Sequence, residues 1–287
     1  MANPAIPLAV GRPSAATPAA PRRNGAASYL PPLREAGLHL VPWLLPVLAL
    51  AGWQGAVSFG LVSNRFMPAP LDVARAGVAA ASSGELWTNL GVSALRALAG
   101  FAVGGGIAFA LGLANGLSRL SERLTDTSVQ MVRNIPHLSL IPLVILWFGI
   151  GEGAKLFLVA LGVFFPIYAN TLHGIRSVDP GLVEMGRVYG MSRLELFRRV
   201  VLPGALPSIF VGLRYGLGIM WLTLIVAETI SASSGLGYMA MQAREFMLVD
   251  VVVLAILIYA ALGKLADALT RRLERVCLAW NPAYRSA

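Results

Sequence analysis

Charged and aromatic side chains within apolar stretches are the first residues of this sequence that could do chemistry. Arg214 lies about nine residues into one such stretch, roughly 13 Å at 1.5 Å per residue, and Glu228 lies near its far end. A charge at the centre of a membrane helix costs about 2.5–3.5 kcal/mol on insertion scales, so each one requires a partner or a function. We predict that Arg214, Trp221 and Thr223 line a path for an anion. Glu228 is predicted to be an outer gate or a docking contact.

The position of each of these side chains also has an alternative explanation that involves no role in transport. Arg214 could snorkel to the inner headgroups, because a long basic side chain carries its charge along the membrane depth. Trp221 could be ordinary core packing. Glu228 could be an interfacial carboxylate capped by neighbouring hydroxyls such as that of Thr229.

Patterns for catalysis and for metal binding are missing from the sequence. Gly263-Lys264 is followed by Leu265 and lacks the upstream glycine spacing of a phosphate loop. The three histidines are scattered, and no serine–histidine–acid set is apparent. We therefore predict no metal site and no catalytic residue, which disfavours an intramembrane enzyme.

The stretch from residue 173 to residue 204 is long, charged and periodic, so it is predicted to fold. Asp179 followed by Pro180 is a favoured helix start, with an N-cap carboxylate and proline at the first helical position. Gly190 is suited to end this helix in the left-handed conformation. Ser192 with Glu195 forms the pattern of a capping box that begins a second helix. Two short helices joined at a glycine bend are the expected result.

An apolar stripe on the first of these helices suggests a docking surface. Its members follow helical spacing and are Leu182, Met185, Gly186 and Tyr189. An apolar helix face with basic flanks can dock into a groove on another protein. It can also lie on anionic lipid. The residues alone do not decide between these two.

The same loop resembles the "EAA" loop of ABC importer permeases. That pattern is Glu-Ala-Ala, three residues, Gly, nine residues, an aliphatic residue, any residue and Leu-Pro. Five residues match it in register: Glu184, Gly190, Val200, Leu202 and Pro203. The two alanines are replaced by Met185 and Gly186, which keeps the helix apolar.

Two further segments are similar to permeases of the nitrate, taurine and sulfonate class. They run over residues 133–149 and 227–237, and the whole resemblance covers residues 90–284, closest to the aliphatic sulfonate permeases. It implies a type I importer permease that moves a small organic anion. The alternatives are a taurine-type or nitrate-type permease, and an ATPase-independent secondary transporter, whose fold often has inverted repeats.

The resemblance also implies partners and roles. The loop would be a coupling helix that docks into a separate ATP-binding subunit, which binds ATP and Mg and carries out the hydrolysis. A solute-binding protein outside the membrane would deliver the substrate, and two permease chains would form a homodimer. The coupling residues implied are Glu184, Met185, Gly186, Tyr189, Gly190, Val200, Leu202 and Pro203.

Composition places the chain in a membrane. Of its 287 residues, 56% are hydrophobic and only 13% are charged, too few for a soluble fold of this length. Six segments approach the roughly 20 apolar residues that a membrane helix needs. The predicted spans are residues 39–62, 90–117, 135–150, 154–172, 205–230 and 249–266. The fold class predicted is all-α and polytopic.

Pairs of glycines four apart, such as Gly100 with Gly104, allow helices to approach closely within one chain or between two.

Basic residues give the orientation. Sixteen of them lie in the segments that would be cytoplasmic if the N-terminus is inside, and Arg65, Arg75 and Arg244 lie outside. We predict a bacterial inner-membrane protein with both termini in the cytoplasm, in contact with lipid and not with nucleic acid. The predicted regions are a disordered tail over residues 1–35, a permease domain over residues 36–270 and a C-terminal tail over residues 271–287.

Overall fold

The computed structural model describes the backbone of residues 32–281 and the side chains of residues 44–281 except Ser231. No strand occurs in this part of the chain. The helical elements, in chain order, are α1 (Pro32–Ser58), α2 (Pro70–Ser82), α3 (Glu85–Leu117), α4 (Arg119–Arg133), a 3-10 turn (His137–Leu140), α5 (Ile141–Phe148), α6 (Glu152–Arg176), α7 (Pro180–Val188), α8 (Arg193–Leu196), a π turn (Phe197–Val201), α9 (Leu202–Ser231), α10 (Leu236–Glu245) and α11 (Val249–Cys277).

The boundaries of the predicted regions differ from the ends of the helices at three places. The predicted tail at residues 1–35 lies outside the described residues as far as residue 31, and α1 begins at Pro32. The predicted C-terminal tail begins inside α11, which continues to Cys277. Likewise α6 continues to Arg176, into the predicted loop.

The described helices account for fewer complete spans than the six predicted. Four are long and apolar enough to cross a membrane: Glu85–Leu117, Glu152–Arg176, Arg193–Ile230 and Val249–Cys277. A fifth results if α4 with the 3-10 turn and α5 is one broken span. The first predicted span corresponds to a shorter apolar stretch, Leu44–Ser58.

The third predicted span differs most from its expectation. The chain bends by 81° between α4 and the segment His137–Phe148, and of residues 135–150 only Ile141–Phe148 is α-helical. Pro136 disfavours helical backbone at the residue before it and has no N–H to donate. Helix α5 has eight residues, about 12 Å at 1.5 Å per residue, too short to cross about 30 Å of hydrocarbon.

The centre of the fold is a close packing of α3 and α9 against α6. The main apolar core draws on five helices through Ala97, Val159, Met220, Leu236 and Tyr259. Helix α6 leads into α7 beside the start of α9 and the end of α11, and we call this the loop end of the bundle. The other end, where α9 leads into α10, is the opposite end.

Glycine sets the distance between α3 and α6. A Cβ on Gly104 would overlap the backbone of Ala160, and one on Gly100 would lie 2.6 Å from Cγ1 of Val159. The glycine pairs at 112/116 and 212/216 also face α6 of the same chain. These small residues are used for packing within the chain.

We predict that Gly104→Ala lowers the free energy of unfolding by about 1–3 kcal/mol, because the added methyl must push the α6 backbone away. Gly106→Ala is the matched control, since a Cβ there meets nothing within 4 Å. Both changes gain the same intrinsic helix preference, up to about 1 kcal/mol. Thermal unfolding in detergent should show a lower Tm for the first variant only. Equal Tm values would contradict the role of Gly104.

Candidate functional site

The first helix of the loop begins as its sequence predicts. Asp179 is the N-cap residue, and its carboxylate accepts a hydrogen bond from the N–H of Gly181 at 2.8 Å. Pro180 is the first residue of α7. Gly190 has φ of +76°, the left-handed conformation that ends the helix and turns the chain.

The second helix also begins at its predicted cap. The Ser192 hydroxyl accepts from the N–H of Glu195 at 3.3 Å, and the Glu195 carboxylate accepts from the N–H of Ser192 at 3.0 Å. This reciprocal pair is a complete capping box. We call residues 179–203 the elbow.

The predicted apolar stripe divides into an exposed part and a buried contact. Leu182, Met185 and Tyr189 are 47%, 51% and 77% exposed. Gly186 is buried, and a Cβ there would lie 2.6 Å from Cδ1 of Leu196. Gly186 therefore lets the two helices of the elbow touch, while its neighbours face outwards. Glu184 is exposed as well.

The junction with the long helix is continuous. The helix runs from Arg193 to Ile230 without a break, through the π turn that contains Val200. Pro203 is the second residue of α9 and therefore does not separate the elbow from the span. Proline has no N–H to donate and its ring needs room, and the wider turn before it satisfies both requirements. Leu202 packs against the apolar cluster around Ile175.

An apolar groove of about 630 Å³ opens beside the elbow. It is bounded by α7, by the start of α9 and by the end of α11. Its lining includes Met185, Tyr189, Val200, Pro203, Cys277 and Trp280. Arg199 also lines it. The groove and the exposed stripe form one surface at the loop end.

A buried ionic network lies at the opposite end and contains Glu228. This carboxylate is 1% exposed and accepts from the Ser93 hydroxyl at 2.8 Å, the Tyr259 hydroxyl at 2.9 Å and the N–H of Gly237 at 2.9 Å. The nearby hydroxyl of Thr229 instead donates to a backbone carbonyl. In this conformation Glu228 connects α3, α10 and α11, and its capping hydroxyls come from distant helices.

Arg96 is the cation of this network. Its guanidinium donates to Glu228 at 2.9 Å and makes a bidentate pair with Glu152 at 2.5 and 2.6 Å. It also donates to the backbone carbonyl of Ser234 at 2.5 Å. Lys155 donates to the same Glu152 carboxylate at 2.9 Å. Two carboxylates thus neutralise two buried cations.

Trp221 and Thr223 lie inside the bundle. Trp221 is 9% exposed, and its ring packs edge-on against Tyr259 with centroids 6.2 Å apart. The Thr223 hydroxyl lies 3.1 Å from Nε2 of His137. Neither side chain faces an open channel within one chain in this conformation.

Arg214 pairs with two acids of α11. Its guanidinium contacts the Glu274 carboxylate, and its Nε lies 3.5 Å from Oδ1 of Asp267. The Glu274 side chain is 8% exposed, whereas that of Arg214 is 39% exposed. Arg214 therefore anchors the end of α11 to α9.

Sequence reasoning did not pair Arg96 or Glu152. Their partners are far apart in sequence, since Arg96 and Glu228 are 132 positions from each other. The available signal was a charge inside the second predicted span, which requires a partner in apolar surroundings. No cluster of three or more His, Cys, Asp or Glu residues that could hold a metal occurs in the part of the chain that the structure describes.

Comparison with known proteins decides the family. The family model of the binding-protein-dependent transport system inner membrane component matches residues 104–276. The chain belongs to this family. The matched residues include the elbow, Arg214 and Glu228, whereas Arg96 precedes them. Together with its apolar helices, the family makes the chain an integral inner-membrane transport component.

Two permeases named for aliphatic sulfonates transport are similar to this chain. SsuC of Escherichia coli strain K12 is 61% identical, over 88% of this chain and 96% of the relative. SsuC of Bacillus subtilis strain 168 is 42% identical, over 92% and 96%. The taurine transport system permease protein TauC of Escherichia coli strain K12 is 35% identical, over 81% and 86%.

We predict that Arg96→Met lowers the free energy of unfolding by about 3–5 kcal/mol, because it leaves the buried Glu228 carboxylate without its cation. Combining it with Glu228→Gln should cost less than the sum of the two single changes, by about 0.5–3 kcal/mol. Thermal unfolding in detergent measures both values.

Arg75→Met is the control for this cycle. Arg75 pairs with Asp72, but its side chain is 77% exposed, so its loss should cost about 0–1 kcal/mol. Strict additivity of the Arg96 and Glu228 changes would show that the two groups do not stabilise each other.

Proposed function

We propose that this chain is the permease subunit of an ATP-driven ABC importer that carries aliphatic sulfonates across the bacterial inner membrane. The observation that carries the proposal is the elbow at the loop end. Its two helices are fixed by caps and by the Gly186–Leu196 contact, and its apolar side chains face outwards. A rigid, exposed apolar projection is suited to receive force from a partner.

The energy comes from a separate ATP-binding subunit, which binds ATP and Mg. The sequence of this chain has no phosphate loop, so movement of the elbow is the means by which hydrolysis acts on the spans. The elbow then lies in the cytoplasm, with both termini, as the distribution of arginines indicates. A solute-binding protein delivers the substrate at the opposite end.

Two copies of the chain form the pore. Trp221, Thr223 and Glu228 are buried within one chain, so the path between the copies is lined by faces that one chain leaves exposed. The three side chains contribute to the path only when the helices move to another state. The ATP-bound and substrate-bound partners drive that movement by binding the two states unequally.

The substrate class rests on the two sulfonate permeases that share most of their length with this chain. A sulfonate is a small, permanently charged organic anion. Taurine is also a sulfonate and nitrate is a smaller anion, so both are competing substrates. A secondary transporter would need neither the ATP-binding subunit nor the elbow.

The direct experiment reconstitutes the chain with its ATP-binding subunit and solute-binding protein in proteoliposomes. We expect ATP-dependent uptake of an alkanesulfonate, and stronger stimulation of ATP hydrolysis by the alkanesulfonate than by taurine or nitrate. Preference for taurine or nitrate would change the substrate class alone. Uptake by this chain alone, driven by an ion gradient, would overturn the importer proposal.

We predict that Glu184→Ala and Gly190→Ala each reduce ATP-driven uptake at least about tenfold while the protein still inserts in the membrane. The first removes a charge from the docking face, a loss in the range of an interface hot spot. The second forces a Cβ into the left-handed conformation, which costs about 1–2 kcal/mol and displaces the bend.

Gly60→Ala is the matched control for the bend. Gly60 has φ of +72° and, like Gly190, has open space where an added Cβ would lie, but it is outside the elbow. It should carry the same strain without the loss of uptake. Normal uptake by both elbow variants would refute the coupling role.

A single and a double variant distinguish two possible roles of Arg214, anchoring α11 and attracting the anion. If Arg214 only anchors α11, Arg214→Gln should lower the Tm and uptake together, and adding Glu274→Gln should restore most of both, since no buried charge is left unpaired. If Arg214 attracts the anion, the double variant should regain its Tm but not its uptake. Unchanged uptake in Arg214→Gln would exclude the anion role.

A further inference from the structure

The groove beside the elbow has a second wall that the coupling pattern does not include. Cys277, the last residue of α11, and Trp280, three residues further on, line it together with the elbow residues Met185 and Tyr189. Trp280 is 51% exposed, and Cys277 is exposed too. Two segments separated by nearly ninety residues of sequence thus form one apolar recess.

The second wall is held in place by the bundle. Leu278 is fully buried, its N–H donates to the carbonyl of Glu274 at 2.8 Å, and the N–H of Asn281 donates to the carbonyl of Leu278 at 2.9 Å. Glu274 in turn pairs with Arg214 of α9. Trp280 therefore belongs to a fixed surface, and its position relative to α9 is set by a partly buried ionic contact.

The charge around the recess indicates what kind of surface covers it. Six exposed arginines of the elbow and of α11 make no ion pair within the described part of the chain, and Arg199 among them lines the recess itself. They are Arg187, Arg193, Arg198, Arg199, Arg272 and Arg275. An occupant that offers carboxylates beside an apolar side chain complements Arg199 and the other unpaired arginines of the two segments. A second copy of the chain would bring the same arginines against it, and like charges oppose that contact.

We propose that the end of α11 is the second half of the docking surface for the ATP-binding subunit, and that an apolar or aromatic side chain of that subunit, flanked by acidic residues, fills the recess between Tyr189 and Trp280. This rests on the proposed function, because the partner is the one that the elbow receives. A cavity of about 630 Å³ is large enough for such an anchor. The partner then contacts α9 and α11 at the same time, α9 through the elbow and α11 through Trp280.

The single cysteine of the chain provides the test. We expect the rate at which a maleimide labels Cys277 to fall at least about tenfold when the purified ATP-binding subunit is added to the detergent-solubilised chain. We expect Trp280→Ala to raise the Kd of the complex about tenfold or more, in the range of an interface hot spot. Trp87→Ala is the matched control, since Trp87 is 60% exposed but lies in α3 at the opposite end. It should leave the Kd unchanged.

Every other result of these experiments contradicts the inference, and each one indicates a different explanation. If the ATP-binding subunit binds and needs Glu184 and Gly190, but Cys277 labelling and the Trp280→Ala complex are unaffected, the second wall is wrong and the proposed function stands. If no ATP-binding subunit binds, both fail. Protection of Cys277 in liposomes without the subunit would assign the recess to lipid. Protection that rises with the concentration of the chain alone would assign it to a second copy.

Discussion

The need to neutralise Arg96 inside an apolar bundle organises the opposite end of this molecule. An unpaired guanidinium in such surroundings is costly, so its hydrogen bonds must be made by fixed partners. Glu228 of α9, Glu152 of α6 and the carbonyl of Ser234 supply them. Glu228 also accepts from Tyr259 of α11, so this carboxylate connects α9 to α3, α10 and α11, and Arg96 adds α6 through Glu152. None of these helices can slide alone at this end without breaking a charged contact.

The helices are held together by different contacts at the loop end than at the opposite end, and this difference has a mechanical consequence. There Arg214 pairs with Glu274, and the elbow continues into α9 without a break. Glycine contacts hold α6 against α3 between the two ends, at backbone distance beside Gly104. Close-packed helices do not deform gradually, so under the proposed function a push on the elbow would move α9 with its neighbours rather than bend it. The ionic contacts at the opposite end are the ones that such a movement would have to rearrange.

The helix caps and the glycine bend of the elbow could be predicted from sequence, whereas the partners of the buried arginine could not. The Asp179 cap, the Gly190 bend and the capping box of Ser192 depend on residues within four positions of each other, so their patterns identified them. The network of Arg96 joins residues more than fifty positions apart, and no local pattern specifies which acid a buried arginine meets. The broken third span was missed for another reason. Its composition suits a membrane helix, while Pro136 determines that the backbone bends.

The two departures from the family's loop pattern follow from the same geometry. The positions that carry alanines in that pattern are Met185 and Gly186 here. Gly186 faces Leu196 at a distance that leaves little room for a Cβ, so a small residue belongs there, and glycine permits a closer contact between the two elbow helices than alanine would. Met185 points outwards into the groove, where a longer side chain meets no obstacle in this chain. A flexible thioether adds apolar contact area and adapts to an irregular partner surface. The substitutions therefore tighten the inside of the elbow and enlarge its outer face, as the proposed docking role would require.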